Sequence, residues 1–445
     1  MMKRQKAAVV LAATGLTLGL AGCGAGGAKP TVAQDANAPL ELWIRQAPGS
    51  PSAATAQRLA DAFTARTGIK MKVVALFDDF ETKLQQRAAQ RELPDLVIND
   101  TAQLGTLVDQ GVVREVAQKD VKGAGTINSR AWQAAQGIDG KYYGVPFSAQ
   151  SFALLIRKDW RTKVGAEQPR TWDDLVALAQ KFTDDDPDGD GKADTYGFNI
   201  PGTTTRGYLS WFYNSFALAN GVSYLQDTGH RTYEQGVSGP VSVATAAWFQ
   251  DLFCKTKVVQ PGAATSDTTT AHQSFESGKA GIYLTGPYTL SRFDKSLGRD
   301  KYEVVALPAG PAGSGGVLAE GENTYLMAGS RNQAGQRAFA EFAASPEGQT
   351  IGMAPGADGA IVRLPVNTAV NGGEVRKDPR WDVFQNAYDK NSSYVPTVKA
   401  WTPFRQTSAD VLNAMVSDCS LTPQDAMKRL GGQLTDELRK QGIAP

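Results

Sequence analysis

Two different periods of hydrophobic and polar positions alternate along this chain from residue 40 onward. Leu40-Glu41-Leu42-Trp43-Ile44 alternates as a strand does, and helical spacing with Leu59, Ala62 and Phe63 on one face follows it. The predicted strands of this region are residues 40–44, 70–76 and 96–98. The predicted helices are residues 52–67, with Ser52 as the N-cap, 80–91 and 102–110. Strands that alternate with helices indicate βαβ units and a parallel sheet, so the predicted fold class is α/β.

The same alternation continues through the rest of the chain. Pro146 keeps Val145 out of the helical region, so residues 140–146 predict an extended segment. Thr171 with Asp174 three residues later predicts the start of a helix. The remaining pattern predicts strands at 152–156, 280–284, 302–307 and 324–328, and helices at 208–218, 241–253, 333–344 and 422–442.

The first 38 residues follow neither period. Lys3, Arg4 and Lys6 precede an apolar run over 7–20, which is short for a membrane span of about 20 apolar residues. A basic head, a short apolar core and small residues at its end predict a signal peptide over 1–22.

Leu20-Ala21-Gly22-Cys23 resembles the lipobox of bacterial lipoproteins, in which the cysteine is acylated, for instance with palmitate. We therefore expect Cys23 to hold the protein on the extracellular face of the cell membrane. A plain signal peptide that contains a cysteine is the alternative. Residues 23–38 are small and polar, which predicts a flexible tether.

Charge and cysteine content exclude some classes of partner. The formal net charge of +1 argues against nucleic acid as a partner. Beyond Cys23, Cys254 and Cys419 form an even pair, which outside the cell predicts a disulfide, with two unrelated buried thiols as the alternative. Only two histidines are present, so a histidine-based triad or zinc site is not expected. Neither a Walker A run nor a dinucleotide-binding fingerprint occurs.

An ordered set of segments resembles the family-1 extracellular solute-binding proteins of ABC transporters, the family that includes maltose-binding protein. These segments are residues 42–44, 94–98, 111–113, 140–146, 169–175, 275–281, 286–288 and 340–349. One departure is Ile156-Arg157, where the family often has Tyr-Asn.

The resemblance implies two α/β lobes, a hinge, and a ligand held in the cleft between the lobes. Lobe 1 would hold residues 39–146 and 322–370, and lobe 2 would hold residues 147–321 and 371–445. The implied function is to capture a sugar or oligosaccharide and deliver it to the permease subunits, as a monomer and without catalysis.

A sugar site needs aromatic faces and hydrogen-bonding groups at strand ends that face the cleft. Trp211, on the predicted aromatic helix, is a stacking candidate, although it could equally pack in the core. By the resemblance, Tyr288 and Trp401 are stacking candidates as well, and Gly286 is a further ligand-binding candidate beside Tyr288. The polar candidates are Arg45, Asn99, Asp100, Ser148, Gln150, Glu322, Asn323 and Arg405. Glu322 is the favoured carboxylate, whereas Asn99 and Asp100 could simply cap the next helix.

Residues 186–194 have the carboxylate spacing of a calcium loop. The candidate positions are Asp186, Asp188, Asp190, Lys192 and Asp194. Gly197 stands where the bidentate glutamate of such a loop is expected, so a solvated turn is the alternative. We expect no required cofactor, only this structural calcium.

Two other functions stay open at this point. Two carboxylates are enough for a secreted glycoside hydrolase, and the chain has many, so a carbohydrate-active enzyme (hydrolase or lyase) is one alternative. A binder of peptides or anionic solutes in the same fold is the other. Arg45, Arg157 and Arg405 would favour an anionic ligand such as a uronate.

Overall fold

The computed structural model describes residues 33–313 and 315–445, so the predicted signal peptide and Cys23 lie outside the described residues. Within them the chain alternates strands and helices, as the sequence predicts. The strands are β1 Leu40–Arg45, β2 Met71–Leu76, β3 Leu96–Asp100, β4 Val145–Gln150, β5 Ala153–Arg157, β6 Tyr196–Asn199, β7 Leu225–Gly229, β8 Thr232–Gln235, β9 Ala280–Thr285, β10 Tyr302–Val305, β11 Val317–Leu318, β12 Glu320–Leu326, β13 Leu364–Pro365 and β14 Ser392–Ser393.

The helices complete the α/β alternation. They are α1 Pro51–Thr67, α2 Phe80–Gln90, α3 Leu104–Asp109, α4 Ser129–Gln133, α5 Lys158–Lys163, α6 Trp172–Asp184, α7 Tyr208–Ala219, α8 Pro240–Cys254, α9 Thr268–Glu276, α10 Leu290–Ser296, α11 Gln333–Ala343, α12 Pro346–Gly352, α13 Gly372–Arg376, α14 Arg380–Asn391, α15 Thr402–Ser417 and α16 Pro423–Gln441. Among the described residues, none of the helices has the length and apolar character needed to cross a membrane.

A six-stranded sheet with the order β13-β4-β12-β3-β1-β2 forms the first lobe. β1 pairs in parallel with both β2 and β3. With the helices between them, these strands form the βαβ units that the alternation predicts. β12 enters antiparallel between β3 and β4, although it comes more than 150 residues later in the chain. β1, β3 and β12 at the centre are mostly buried. The apolar residues of β1 and β3 account for their burial, whereas β12 also carries Glu322 and Asn323 into the sheet.

A four-stranded sheet with the order β10-β5-β9-β6 forms the second lobe. β5 is antiparallel to β9 and β10, whereas β6 and β9 run in parallel. Beside this sheet α7 packs its aromatic side chains into the core, where the Phe216 ring centroid lies 5.9 Å from Trp172 and 5.3 Å from Trp248.

The chain passes between the lobes at the ends of β4 and β12. Only Ser151 and Phe152 separate β4 of the first sheet from β5 of the second. The return runs through Ala319 into β12. The predicted lobe boundaries at 146/147 and 321/322 therefore fall inside these strands, and residues 147–150 and 320–321 belong to the first-lobe sheet. The strands therefore continue across the crossing points that the resemblance implies.

Helix starts follow the capping chemistry, with one correction. α1 begins at Pro51, and Ser50 rather than Ser52 is its N-cap, since the Ser50 hydroxyl accepts from the Ala53 N–H at 3.2 Å. Pro51 fits the first turn because it has no N–H to satisfy. Thr171 and Asp174 form the predicted capping box of α6. Thr422 caps α16, which ends at Gly442 in the left-handed region.

The last part of the predicted tether is bound to the first lobe. The Asp35 N–H donates to the Arg331 carbonyl at 2.7 Å, and the Asn332 side-chain amide donates to the carbonyls of Ala36 and Ala38 at 3.0 and 2.8 Å. These bonds make residues 35–38 part of the folded lobe. The predicted tether of residues 23–38 is therefore too long at its C-terminal end.

Cys254 at the end of α8 and Cys419 between α15 and α16 are joined by a disulfide within the second lobe. Their Cα atoms are 5.8 Å apart, and 165 residues separate them in sequence. The bridge ties α8 to the turn between the two C-terminal helices.

Replacing Cys254 and Cys419 together by serine is expected to lower the free energy of unfolding by up to about 5 kcal/mol, because the long loop is no longer closed in the unfolded chain. Urea unfolding of the variant and of the oxidised and reduced parent protein measures this loss. The reduced parent is the matched control and should coincide with the variant. Equal midpoints for the oxidised and reduced parent would contradict a structural disulfide.

Candidate functional site

A cavity of 580 Å³ lies between the lobes. First-lobe strand ends and second-lobe loops and helices both supply its walls. Its lining residues are Arg45, Phe77, Glu81, Gln85, Asp100, Gln103, Thr106, Gln150, Arg206, Tyr208, Trp211, Thr268, Tyr288, Glu320, Arg363, Ala400, Thr402 and Arg405. We call this cavity the cleft. It brings together six of the twelve predicted ligand-binding residues: Arg45, Asp100, Gln150, Trp211, Tyr288 and Arg405.

Aromatic rings from both lobes face the cleft. Trp211 lies on α7 and meets the ring of Phe152 edge-on at 4.6 Å between centroids, so its orientation is fixed by packing. Phe77, directly after β2, is 41% exposed at the cleft wall. The sequence analysis missed Phe77, because a single aromatic residue in a polar loop carries no periodic signal. Rings that pack on one side and remain open on the other can stack on the apolar face of a sugar.

Tyr288 depends on the glycine that precedes it by two residues. A Cβ atom at Gly286 would lie 2.9 Å from the Tyr288 ring and 3.1 Å from Cδ of Gln150. Gly286 does not line the cleft itself, and it lets these two cleft residues pack against the backbone. The Tyr288 hydroxyl accepts from the Thr285 hydroxyl at 3.3 Å.

Arg45 organises one end of the cleft through ion pairs. Its Nη1 donates to Asp100 Oδ2 at 2.9 Å, and its Nε lies 3.5 Å from Glu81 Oε1. The charge of Asp100 raises the pKa of Arg45, which outweighs the opposing effect of burial. The same Glu81 lies 3.9 Å from Nη2 of Arg206 in the second lobe. One carboxylate therefore links guanidinium groups of both lobes.

Gln150 and Glu320 are adjacent on paired strands of the first-lobe sheet. The Gln150 amide donates to Glu320 Oε2 at 3.0 Å. Gln150 is only 2% exposed, yet its Oε1 atom has no hydrogen-bond partner among the described residues. An orphaned buried acceptor at a cavity wall is a position where a ligand hydroxyl could donate.

Glu320, rather than the predicted Glu322, is the β12 carboxylate that lines the cleft. Both residues alternate onto the same face of the strand, and Glu322 is 3% exposed behind the wall. Burial raises the pKa of Glu322 to about 7. Burial and then the charge of Asp100 raise the pKa of Glu320 as well. The sequence could not choose between them, because both occupy equivalent positions of one strand.

Three other predicted residues are held inside the first lobe. Asn99 and Asn323 face each other across the β3–β12 pair, and Asn323 donates to the Ala134 carbonyl at 3.0 Å. Ser148 accepts from the Arg363 N–H at 3.0 Å. None of the three lines the cleft. In this structure they shape the sheet behind the site, which corrects their prediction as cleft residues.

Trp401 is 5% exposed and stacks on Phe404 with ring centroids 5.7 Å apart. It lines a small side cavity of 30 Å³ beside the cleft, whereas its neighbours Ala400 and Thr402 reach the cleft itself. The side cavity shares Asp100, Trp211, Glu320 and Arg405 with the cleft, so stacking of Trp401 on a ligand stays a prediction. Arg157, which was offered for an anionic ligand, is bonded to Asp159 through Nε and Nη2 at 2.8 and 2.7 Å, away from the cleft.

The predicted calcium loop brings three carboxylates together. Oxygen atoms of Asp186, Asp188 and Asp190 lie within 4.8 Å of one another. The other two candidate positions are engaged elsewhere: Lys192 is ion-paired with Asp190 at 2.6 Å, and Asp194 with Lys279 at 2.6 Å. The cluster offers the oxygen donors that calcium prefers, but fewer of them than the full loop.

The sequence profile of the bacterial extracellular solute-binding proteins matches residues 47–350, which is more than half of the 445 residues. The chain belongs to this family.

Curated relatives share part of the sequence. A Brucella abortus (strain 2308) sequence that carries the name of a binding protein is 27% identical over 200 residues, and the chain spans only 45% of that relative's length. YtcQ of Bacillus subtilis (strain 168), named a polygalacturonan/rhamnogalacturonan-binding protein, is 28% identical over 205 residues, which are 43% of this chain and 38% of YtcQ. YcjN of Escherichia coli (strain K12), named as an ABC transporter periplasmic-binding protein, is 25% identical over 84% of this chain and 86% of its own.

Solved structures share the fold. The GacH receptor of Streptomyces glaucescens GLA.O, studied unliganded and with acarbose, matches with a TM-score of 0.76 at 19% identity, over 91% of this chain and 99% of GacH. Lmo0181 of Listeria monocytogenes, solved with cycloalternan, matches with a TM-score of 0.73 at 20% identity, over 92% of this chain and 100% of its own. The two-lobed fold predicted from the sequence is confirmed.

The raised pKa of Glu322 generates a prediction about stability. In the unfolded chain its carboxyl ionises near pH 4.5. Between that pH and about 7 the folded protein holds a proton that the unfolded chain has lost, so stability falls as the pH rises. Glu322→Gln has no carboxyl to ionise and so does not show this loss. As the pH rises from 4.5 to 8, the free energy of unfolding of the variant should increase by about 3 kcal/mol relative to that of the parent.

Urea unfolding at a series of pH values measures this difference. Glu92→Gln, a change at an exposed glutamate on the same lobe, is the matched control and should run parallel to the parent. A Glu322→Gln curve that also runs parallel to the parent would contradict a buried, protonated Glu322.

Proposed function

We propose that this protein is the solute-binding component of an ABC importer, which captures a sugar or oligosaccharide in the cleft and delivers it to the permease. The observation that carries this proposal is the cleft itself. Aromatic faces from both lobes (Phe77, Tyr208, Trp211) meet hydrogen-bonding groups from both lobes in one space of 580 Å³. A sugar offers apolar C–H faces and a rim of hydroxyls, and these are the complementary surfaces.

The names of relatives support a sugar as the ligand class. They include a polygalacturonan/rhamnogalacturonan-binding protein, a maltotriose-binding protein and a fructooligosaccharide ABC transporter substrate-binding protein. The matched structures hold acarbose, tagatose and cycloalternan. A ligand that touches both lobes favours the closed arrangement, because only that arrangement makes both sets of contacts.

The protein is proposed to bind without turnover. Glycoside hydrolysis needs a carboxylic acid and a second carboxylate poised on the glycosidic bond. The carboxylates of the cleft wall are already bonded to neighbours, Asp100 to Arg45 and Glu320 to Gln150. These bonds support a role in positioning a ligand rather than in proton transfer to it.

Acylation of Cys23 is part of the same proposal. An anchored protein stays at the extracellular face of the membrane, near the permease that it serves, while the polar residues after Cys23 act as a tether. Labelling with a palmitate analogue, with Cys23→Ser as the control, tests the anchor. Label in the parent and none in the variant is expected, and label in neither would contradict acylation.

Calorimetric titration with a panel of mono- and oligosaccharides and short peptides tests the ligand class. Saturable binding of at least one glycan, with no product in the mixture, is expected. Binding of peptides alone, or release of shorter glycans, would overturn the proposal.

For the glycan found in this way, Trp211→Ala is expected to weaken binding by about 10- to 100-fold, because the stacking face is lost. Trp211→Phe keeps an aromatic face and should lose less. Val241→Ala, at an exposed apolar residue of α8, is the control outside the cleft. Equal affinity of Trp211→Ala and the parent would remove Trp211 from the site.

We also propose that Asp186, Asp188 and Asp190 hold a structural calcium ion. Added calcium should raise the thermal midpoint of the metal-free protein, and Asp188→Asn should abolish that shift, because one of three clustered carboxylates is lost. Asp227→Asn, at an exposed aspartate of a hairpin, is the control. An identical calcium shift in Asp188→Asn would rule out this loop.

A further inference from the structure

The charged side chains of the cleft are not evenly paired. Arg45 and Arg206 have carboxylate partners, as described above. Arg363 and Arg405 have none: among the described residues no carboxylate oxygen lies within 4.0 Å of either guanidinium, and neither guanidinium forms a hydrogen bond. These two residues hydrogen-bond through their backbone instead, from the Arg363 N–H to the Ser148 hydroxyl and from the Arg405 N–H to the Trp401 carbonyl. Two cations of the cleft wall are therefore without a counter-ion.

The two free guanidiniums come from opposite lobes. Arg363 directly precedes β13 of the first-lobe sheet, and its Cζ lies 5.6 Å from the centroid of the Tyr288 ring. Arg405 lies in the first turns of α15 in the second lobe. Both act on the charge of Glu320, whose pKa each of them tends to lower, so both lie within electrostatic reach of one point in the cleft.

The side chain of Arg405 packs closely against the backbone of Gly207. A Cβ atom at residue 207 would lie 2.5 Å from Cγ of Arg405 and 3.0 Å from its Cδ. Gly207 has a positive φ of 72°, and its bare backbone gives the stem of Arg405 a surface to lie on. The guanidinium is thus held at the cleft by packing of its stem, without any ion pair within the protein.

Among the described residues, the carboxylates nearest to these arginines interact with Arg363 through their charge but form no direct ion pair with it. Burial raises the pKa of Glu322 to about 7 and also raises the pKa of Glu320. Asp100, the other carboxylate close by, is bonded to Arg45. The cleft wall carries four arginines (Arg45, Arg206, Arg363 and Arg405) but three carboxylates (Glu81, Asp100 and Glu320). A fully neutral sugar would leave this imbalance in place.

We propose that the ligand is a sugar that bears a carboxylate, such as a uronic-acid residue or its oligomers, and that Arg363 and Arg405 bind this carboxylate from the two lobes. The inference rests on the proposed function, since it names the class of sugar for the same cleft. Arginine suits a carboxylate because its planar fork donates two parallel hydrogen bonds to the two oxygens. One carboxylate held by an arginine of each lobe also favours closure of the cleft.

Binding of matched acidic and neutral sugars tests this assignment. The probes are galacturonate, glucuronate and mannuronate with their trimers, each compared with galactose, glucose and mannose and the corresponding neutral trimers. At least one acidic sugar is expected to bind about tenfold tighter or more than its neutral counterpart, and higher salt should weaken that binding. Galactose 6-sulfate separates a carboxylate from any other anion, and tighter binding of the sulfate would overturn the carboxylate assignment.

Arg363→Gln and Arg405→Gln should each weaken binding of the acidic sugar about 10- to 100-fold, because each removes a charge-assisted contact. Arg439→Gln, at an exposed arginine of α16, makes the same charge change outside the cleft and should bind as the parent does. Circular dichroism shows whether each variant is folded, and if one of the two cleft variants is not, the other still decides.

Besides tighter binding of the sulfate, two results would overturn this inference while leaving the proposed function intact. One is a neutral sugar that binds as tightly as its acidic counterpart or tighter. The other is acidic-sugar binding that is unchanged in both cleft variants. Failure of every sugar, acidic or neutral, to bind would overturn the proposed function together with this inference.

Discussion

The insertion of β12 between β3 and β4 is the constraint on which the cleft depends. Its antiparallel register sets Glu322 opposite Asp100 on one side, and Glu320 opposite Gln150 on the other. The same strand returns the chain from the second lobe to the first, so the point where the lobes join is also the point where the acidic groups gather. A shift of this pairing by one residue would turn both glutamates to the opposite face of the sheet.

Burying these carboxylates has an energetic cost that the surroundings only partly offset. Glu322 has an oxygen without a hydrogen-bond partner among the described residues. Burial disfavours its charged form and therefore raises its pKa. Arg45 offsets the charge of Asp100 by a direct bond, whereas Arg363 lies close enough to interact with Glu322 but not to pair with it. A binding site that keeps unpaired polar groups in this way is prepared for a ligand at the expense of stability.

The α/β alternation could be predicted from the sequence because each strand and helix shows the hydrophobic pattern of its own residues. Tyr288 could also be predicted from the sequence, because the Gly286-Pro287 pair marks where β9 ends at the cleft. Gln150 could be predicted because it follows the extended segment that Pro146 indicates, although β4 continues to Gln150 itself. Phe77 and Arg363 were missed because they lie in loops, where position is set by tertiary contacts rather than by period. Trp401 was predicted from the family resemblance alone, because an exposed and a packed tryptophan have the same sequence signature. Glu322 was preferred over Glu320 although the two share a face, and only the depth of burial separates them.

A crystal structure of the protein with the glycan identified by titration tests the central claim most directly. We expect the sugar ring to lie between the lobes, with one apolar face against Trp211 or Phe77 and a hydroxyl donating to the free oxygen of Gln150. We also expect contacts to residues of both lobes from the same sugar. A glycan bound on the outer surface of one lobe, with the cleft empty, would contradict the account.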